Sequence, residues 1–271
     1  MDKIREPSVA GYFYPETKEK LLKAIESFIP VRPLKEKHIS AVCPHAGYVF
    51  SGATAGKVYS EIDMPGSVIL LGPNHTGYGE PYAVESSDSW VTPLGKIDMD
   101  RDLSEKLVKR SRYLEPDCVA HANEHSLEVQ VPFIQFLNPV SRIVPIALSG
   151  YVDNPAWGEI GESIADIVRE EKGKDVMIIA SSDMTHYESE ETARENDSYA
   201  IEAILALDED LLIERIAEKN ISMCGYGPVI TAIIASKELG AKEGRLIDYT
   251  TSGRVNRDYS QVVGYAGITI K

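Results

Sequence analysis

The chain has 271 residues, 43% of them apolar, and a formal net charge of −14. A charge that negative argues against nucleic acid as a partner, because phosphate contacts need a basic face. No apolar run is long enough to span a bilayer, the N-terminal residues are charged and unlike a secretion signal, and three irregularly spaced cysteines make no disulfide framework, so a cytoplasmic protein with no membrane partner is expected.

In chain order, Arg5 to Pro15 is aromatic, lacks helical spacing and reads as an arm draped over the body. Thr17 caps a helix to about Phe28, with Leu21, Leu22, Ile25 and Phe28 on one face and Pro30 beyond it. His38 to Val42 reads as a buried strand that breaks into Pro44-His45-Ala46-Gly47-Tyr48. Gly52 to Ile62 reads as a helix rich in small residues, and Val68 to Leu71 as a second strand breaking into Gly72-Pro73-Asn74-His75. Residues 80–99 read as short strands around Trp90, after which Asp100 caps a helix to about Arg110.

His121 to Gln130 reads as a loop entering a helix that runs to Leu137, with Pro132 kinking it or sitting in its first turn. Ser141 to Leu148 contains Pro145 and is expected at a sheet edge. Asn154-Pro155 opens a helix to about Glu171 that Gly173 ends. Val176 to Ala180 is a third strand, breaking into Ser181-Ser182-Asp183-Met184-Thr185-His186. Helices near 192–207 and 209–219 follow, then Cys224-Gly225 ahead of an apolar helix, Val229 to Leu239, and strands near 245–250 and 261–270. Strands and helices alternate with no linker or repeat. That predicts one α/β domain over residues 1–271, a mostly parallel or mixed central sheet with helices on both faces and antiparallel last strands.

The chemistry collects where strands end, as in open α/β sheets. His45 and His75 each sit beside proline and glycine after a strand, and neutral imidazole is the commonest metal ligand. Asp183 and His186, three apart, are candidates for the same metal site or for a general base and its orienting partner; the plainer alternative is an aspartate that caps the next helix. Cys224 precedes a helix start, where thiolate is favoured both as ligand and as nucleophile. His125 and Glu128 are spaced for one helix face and for orienting a ligand. Cys118 reads as a small buried hydrophobe, Cys43 as ambiguous, His121 as surface, and His38 carries no signal. Neither a Walker pattern nor a dinucleotide fingerprint occurs.

Taken in order, Pro44-His45-Ala46-Gly47-Tyr48, Gly72-Pro73-Asn74-His75, Glu124-His125-Ser126-Leu127-Glu128, Ser181 to His186 and Cys224-Gly225 resemble the Memo family. So do Val9 to Pro15 at one end and Asp248-Tyr249-Thr250-Thr251-Ser252-Gly253 at the other, and the resemblance covers essentially the whole chain. It implies a fold like that of the class III non-haem iron extradiol dioxygenases. It also implies metal ligands His45, His75 and Cys224, an acid–base place for His186 with Asp183 beside it, and a place behind the ligands for His125. Cys224 stands where those dioxygenases have a glutamate.

A thiolate favours Fe(II), with Cu and Zn as the other metals of that softness. Two readings follow: a metal-dependent oxidoreductase of the dioxygenase type acting on an unidentified small molecule, or a non-enzymatic module that uses the histidine-lined cleft for a peptide or small anion. A cysteine nucleophile, Cys224 with His186, is a third. Family association implies an AMMECR-type protein partner, and the oligomeric state stays open between monomer and homo-oligomer.

Overall fold

The computed structural model describes residues 3–30, 35–171 and 173–271. The first half of the chain begins with β1 (Ile4–Arg5), α1 (Lys18–Phe28), β2 (Ser40–Cys43), α2 (Tyr48–Glu61) and β3 (Ser67–Pro73). Then come β4 (Tyr82–Val84), β5 (Ser89–Thr92), β6 (Gly95–Asp98), α3 (Arg101–Arg110) and β7 (Glu115–Pro116). A 3-10 turn (Glu128–Gln130) runs into α4 (Val131–Leu137), with Pro132 in the first turn, where its missing N–H has no helical acceptor to lose. The second half holds β8 (Arg142–Leu148), α5 (Ala156–Glu170), β9 (Val176–Ser181), β10 (His186–Glu188), α6 (Glu190–Leu205) and α7 (Glu209–Lys219). It ends with α8 (Tyr226–Glu238), β11 (Gly244–Thr251), α9 (Gly253–Asn256) and β12 (Val262–Ile270).

Four parallel strands, in the order β2-β9-β3-β8, make the centre of the main sheet. Antiparallel β12, itself paired with β11 and β10, flanks β2, and antiparallel β4 with β7 flanks β8. A small second sheet joins β1, β5 and β6. The central strands are buried on both faces, which is why each reads as an unbroken apolar run. Their side chains alternate between two cores. Val42, Ile69, Leu71, Ile178 and Ala180 pack towards the helices of the second half. Ala41, Cys43, Val68, Leu70, Met177 and Ile179 pack towards α1, α2 and α4 with Leu21, Ile25, Tyr59 and Phe133. Truncating a buried aliphatic side chain such as Leu70 to alanine costs roughly 2–5 kcal/mol in such a core.

β8 is an interior strand, contrary to the edge position expected from Pro145. It pairs with β3 on one side, Leu70 opposite Pro145, and with β4 on the other. β4 stops at Val84, so the proline nitrogen meets no ladder acceptor, while the Pro145 carbonyl still accepts from Glu85 N at 2.9 Å. The proline therefore sits where the missing donor disturbs the ladder least.

The parallel arrangement decides where the chemistry goes. β9 lies between β2 and β3, and the register pairs Cys43 with Ser181 and Leu71 with Ala180. All three strands thus end nearly level, and the loops that follow them share one edge of the sheet.

Candidate metal centre

His45 follows β2 in a loop that is stitched to the loop after β9. Asp183 Oδ1 accepts the backbone N–H groups of His45 (2.7 Å) and Ala46 (3.3 Å), so this aspartate joins two strand ends and caps no helix. Beside it, Ser181 fixes the His45 ring. The Ser181 hydroxyl donates to the Ser126 carbonyl (2.7 Å) and accepts from Gln130 Nε2 (2.9 Å), so its contact with His45 Nδ1 (3.0 Å) is a second acceptance. This network assigns the His45 proton to Nδ1 and leaves a free lone pair on Nε2. That Nε2 is 3.2 Å from Cys224 Sγ.

His75 follows β3 and is held by Glu124, which accepts from both the His75 backbone N–H (2.6 Å) and Nδ1 (2.9 Å). Burial pushes the Glu124 carboxyl up, but the His75 hydrogen bond and charge and the Ser126 N–H outweigh it, leaving a pKa of about 2. Glu124 is thus a carboxylate that takes a proton donor from His75, again leaving Nε2 as the free nitrogen; carboxylate–histidine pairs of this kind orient metal ligands. His125 lies beside them, its ring 4.6 Å from that of His75 and 4.6 Å from that of Phe13. Ligand nitrogens of His45, His75 and His125 all lie within 4.8 Å of one another. His125, which the resemblance puts behind the ligands, stands among them.

Cys224 comes from the loop ahead of α8. Its Sγ accepts the Asp183 N–H at 3.3 Å, and Gly225 N donates to Ser182 Oγ at 3.0 Å. Glycine is needed after Cys224, because a Cβ at Gly225 would lie 2.4 Å from the Ser181 carbonyl oxygen. A pocket of about 200 Å³, with His75, Asn74, Trp157, Cys224 and Tyr226 in its wall, adjoins this thiol.

Protonation follows from these surroundings. Burial, reinforced by His75, His125 and His186, holds His45 well below its ordinary value, and burial likewise lowers His125. Both rings are neutral, the form that binds metal. Burial and then the Asp183 charge push the Cys224 thiol up, so it keeps its proton until a cation replaces it. Burial raises Asp183 to about 6 against the His45 N–H and the His186 charge. His186 is partly exposed; its Nδ1 donates to the Ser222 carbonyl at 2.9 Å, which leaves Nε2 as an acceptor. It is not one of the three clustered histidines.

The structure separates other residues from the cluster. Glu128 does not share a helix face with His125: it starts the 3-10 turn and faces the N-terminal arm. His121 is fully buried where a surface place is expected, and Cys118 is exposed where a buried one is. Glu124, Ser181 and Gln130 carry the orientation of the site. Nothing in the sequence singles them out, beyond the place of Glu124 next to His125.

Fold and site together define an α/β protein with a histidine cluster and a cysteine at the carboxyl ends of its parallel strands. The chain belongs to the Memo family: a family model described as Memo-like protein matches residues 5–269. It is 45% identical over 270 residues to a MEMO1 family protein of Methanosarcina barkeri, covering 99% of this chain and 100% of that one. It is 47% identical over 269 residues to one from Archaeoglobus fulgidus (99% and 100%) and 43% identical over 270 residues to one from Aquifex aeolicus (98% and 98%). Among solved structures, an uncharacterized protein of Escherichia coli K12 shares the fold with a TM-score of 0.56 at 13% identity, covering 86% of this chain and 99% of that one. No helix among the described residues is long and apolar enough to cross a membrane.

Proposed function

We propose that the chain binds a transition metal of intermediate softness, Fe(II) first with Cu and Zn as alternatives, through His45, His75 and Cys224, with His125 beside them. The observation that carries this reading is the orientation of the rings. Ser181 and Glu124 occupy Nδ1 of His45 and His75, which frees both Nε2 lone pairs, and a thiol lies 3.2 Å from one of them. Two imidazoles and a thiol suit Fe(II), Cu(I) or Zn(II). A metal there supplies Lewis acidity and, for iron or copper, one-electron redox chemistry.

The protein's own residues supply the rest. The Asp183 carboxylate keeps the His45 loop closed on the β9 loop. His186 exchanges a proton with substrate at Nε2, its ring orientation set by the Ser222 carbonyl. The pocket beside Cys224, about 200 Å³, has room for a small molecule, and the reading is an oxidoreductase acting on one. Anaerobic purification, metal analysis and oxygen uptake with a catechol panel test it. The expected result is bound metal with weak or no extradiol cleavage of simple catechols, because Cys224 replaces a carboxylate. Ring cleavage that is lost in both His45→Ala and His186→Ala would instead make this an ordinary ring-cleaving enzyme. A protein that takes up no metal would leave the binding-module and cysteine-nucleophile readings, which thiol alkylation of Cys224 separates.

A further inference from the structure

Glu128 is fully buried, and among the described residues its two oxygens accept hydrogen bonds from the N-terminal arm alone: from Arg5 Nη1 (2.7 Å), Ser8 N and Oγ (2.9 Å each), Val9 N (3.0 Å) and Tyr14 OH (2.7 Å). Arg5 reaches further. Its Nε donates to the His121 carbonyl (2.7 Å) and its Nη2 to the Glu124 carbonyl (2.9 Å), and its guanidinium lies 4.3 Å over the Trp90 ring. One side chain thus pins the start and the end of the 121–124 turn, whose last residue holds His75 through its carboxylate. The same arm carries Phe13. Its carbonyl accepts from Tyr48 N at 2.7 Å, and its ring packs on His125.

We propose that the N-terminal arm is the positioning device of the metal centre. Arg5 and Glu128 bond to none of the candidate ligands; they set the ring of His75 through Glu124 and the ring of His125 through Phe13. This inference rests on the metal reading above. Stability alone is a poor account of the clasp, because a buried ion pair loses much of its Coulomb gain to desolvation. What the Arg5–Glu128 pair does provide is register: it joins the arm to a turn more than a hundred residues away at a single geometry. Groups that orient ligands from behind are worth roughly 10–100-fold in metal affinity.

The test uses Co(II) as the probe on the full chain, reading affinity by titration, ligand geometry by its visible absorption, and folding by the melting temperature of the metal-free protein. Glu128→Gln and Phe13→Leu should each weaken Co(II) binding by about tenfold or more and shift the visible band. Phe13→Leu keeps every hydrogen bond of the clasp, so it stays informative if Glu128→Gln folds poorly. Leu107→Ala, a core truncation in α3, should lower the melting temperature yet leave Co(II) affinity and spectrum as in the wild type. Folded Glu128→Gln and Phe13→Leu with wild-type affinity and spectrum would overturn the positioning role while leaving the metal reading intact. A wild-type protein that does not bind Co(II) would remove both.

Discussion

β2 has a buried histidine beyond each end. His38 lies before the strand and His45 after it, at 8% and 2% exposure. Neither ring nitrogen of His38 has a hydrogen-bond partner among the described residues, whereas His45 has Nδ1 tied to Ser181 and Nε2 against the Cys224 thiol. A buried polar group without a protein partner is worth nothing as an oriented ligand and costs about 1–3 kcal/mol where water does not reach it. His45 is different in kind: one nitrogen is satisfied by the protein and the other is held ready. Burial alone does not make a ligand. A partner that fixes the tautomer and leaves the other nitrogen free beside further ligand groups does, as Ser181 does for His45 and Glu124 for His75 at the edge where β2, β9 and β3 end together.

That contrast has its largest consequence in metal-induced stabilisation. Fe(II) at about a hundred times its dissociation constant should stabilise the native state by about 2.7 kcal/mol, a rise of roughly 5–10 °C in melting temperature for a chain of this size. His45→Ala and Cys224→Ser should lose most of that gain, and His38→Leu should keep it. Equal gains in all of these proteins would place the metal elsewhere. Next in size is the tautomer lock. Ser181→Ala removes the acceptor from His45 Nδ1 and should weaken metal binding by about 10–100-fold in a calorimetric titration. Unchanged affinity would mean that Ser181 does not set the ring.

The smallest effect belongs to the other end of the strand. His38→Leu removes an unpartnered imidazole from a buried place and should stabilise the metal-free protein by about 1 kcal/mol in urea unfolding. It should also change the acid limb. Burial, partly opposed by Glu36, lowers His38 below its ordinary 6.5 in the folded state, so the unfolded chain binds the proton more readily. Stability is therefore intact above pH 6.5 and lost as pH falls below it. The variant should lose less than the wild type on going from about pH 7 to pH 5. His45, His121 and His125 are lowered in the same direction and supply the part of the slope that remains.

How much of this was legible in the sequence depended on range. The strand ends were, because a doubly buried parallel strand is an apolar run and its exit needs glycine, proline or serine; His45, His75 and Asp183 were found that way. The helix over Tyr48 to Glu61 starts earlier than its small-residue run suggests, since Tyr48 and Phe50 do not look like a helix start. Pro145 suggests an edge only to a reader who cannot see that β4 stops at Val84. Glu128 sits three residues after His125 and so invites a shared helix face, yet the chain turns there and sends it to the N-terminal arm, 123 residues from Arg5. Arg5 on Glu128, Ser181 on His45 and Glu124 on His75 are contacts between residues 49 to 136 positions apart, and no local pattern encodes them.

X-ray absorption on the Zn(II)-loaded protein examines the ligand set directly, with a metal that has no redox chemistry of its own. If His45, His75 and Cys224 hold the ion, the first shell contains a sulfur at about 2.3 Å alongside nitrogen at about 2.0–2.1 Å, and Cys224→Ser loses the sulfur while keeping the nitrogens. A wild-type shell of nitrogen and oxygen only, unchanged in Cys224→Ser, would contradict the assignment.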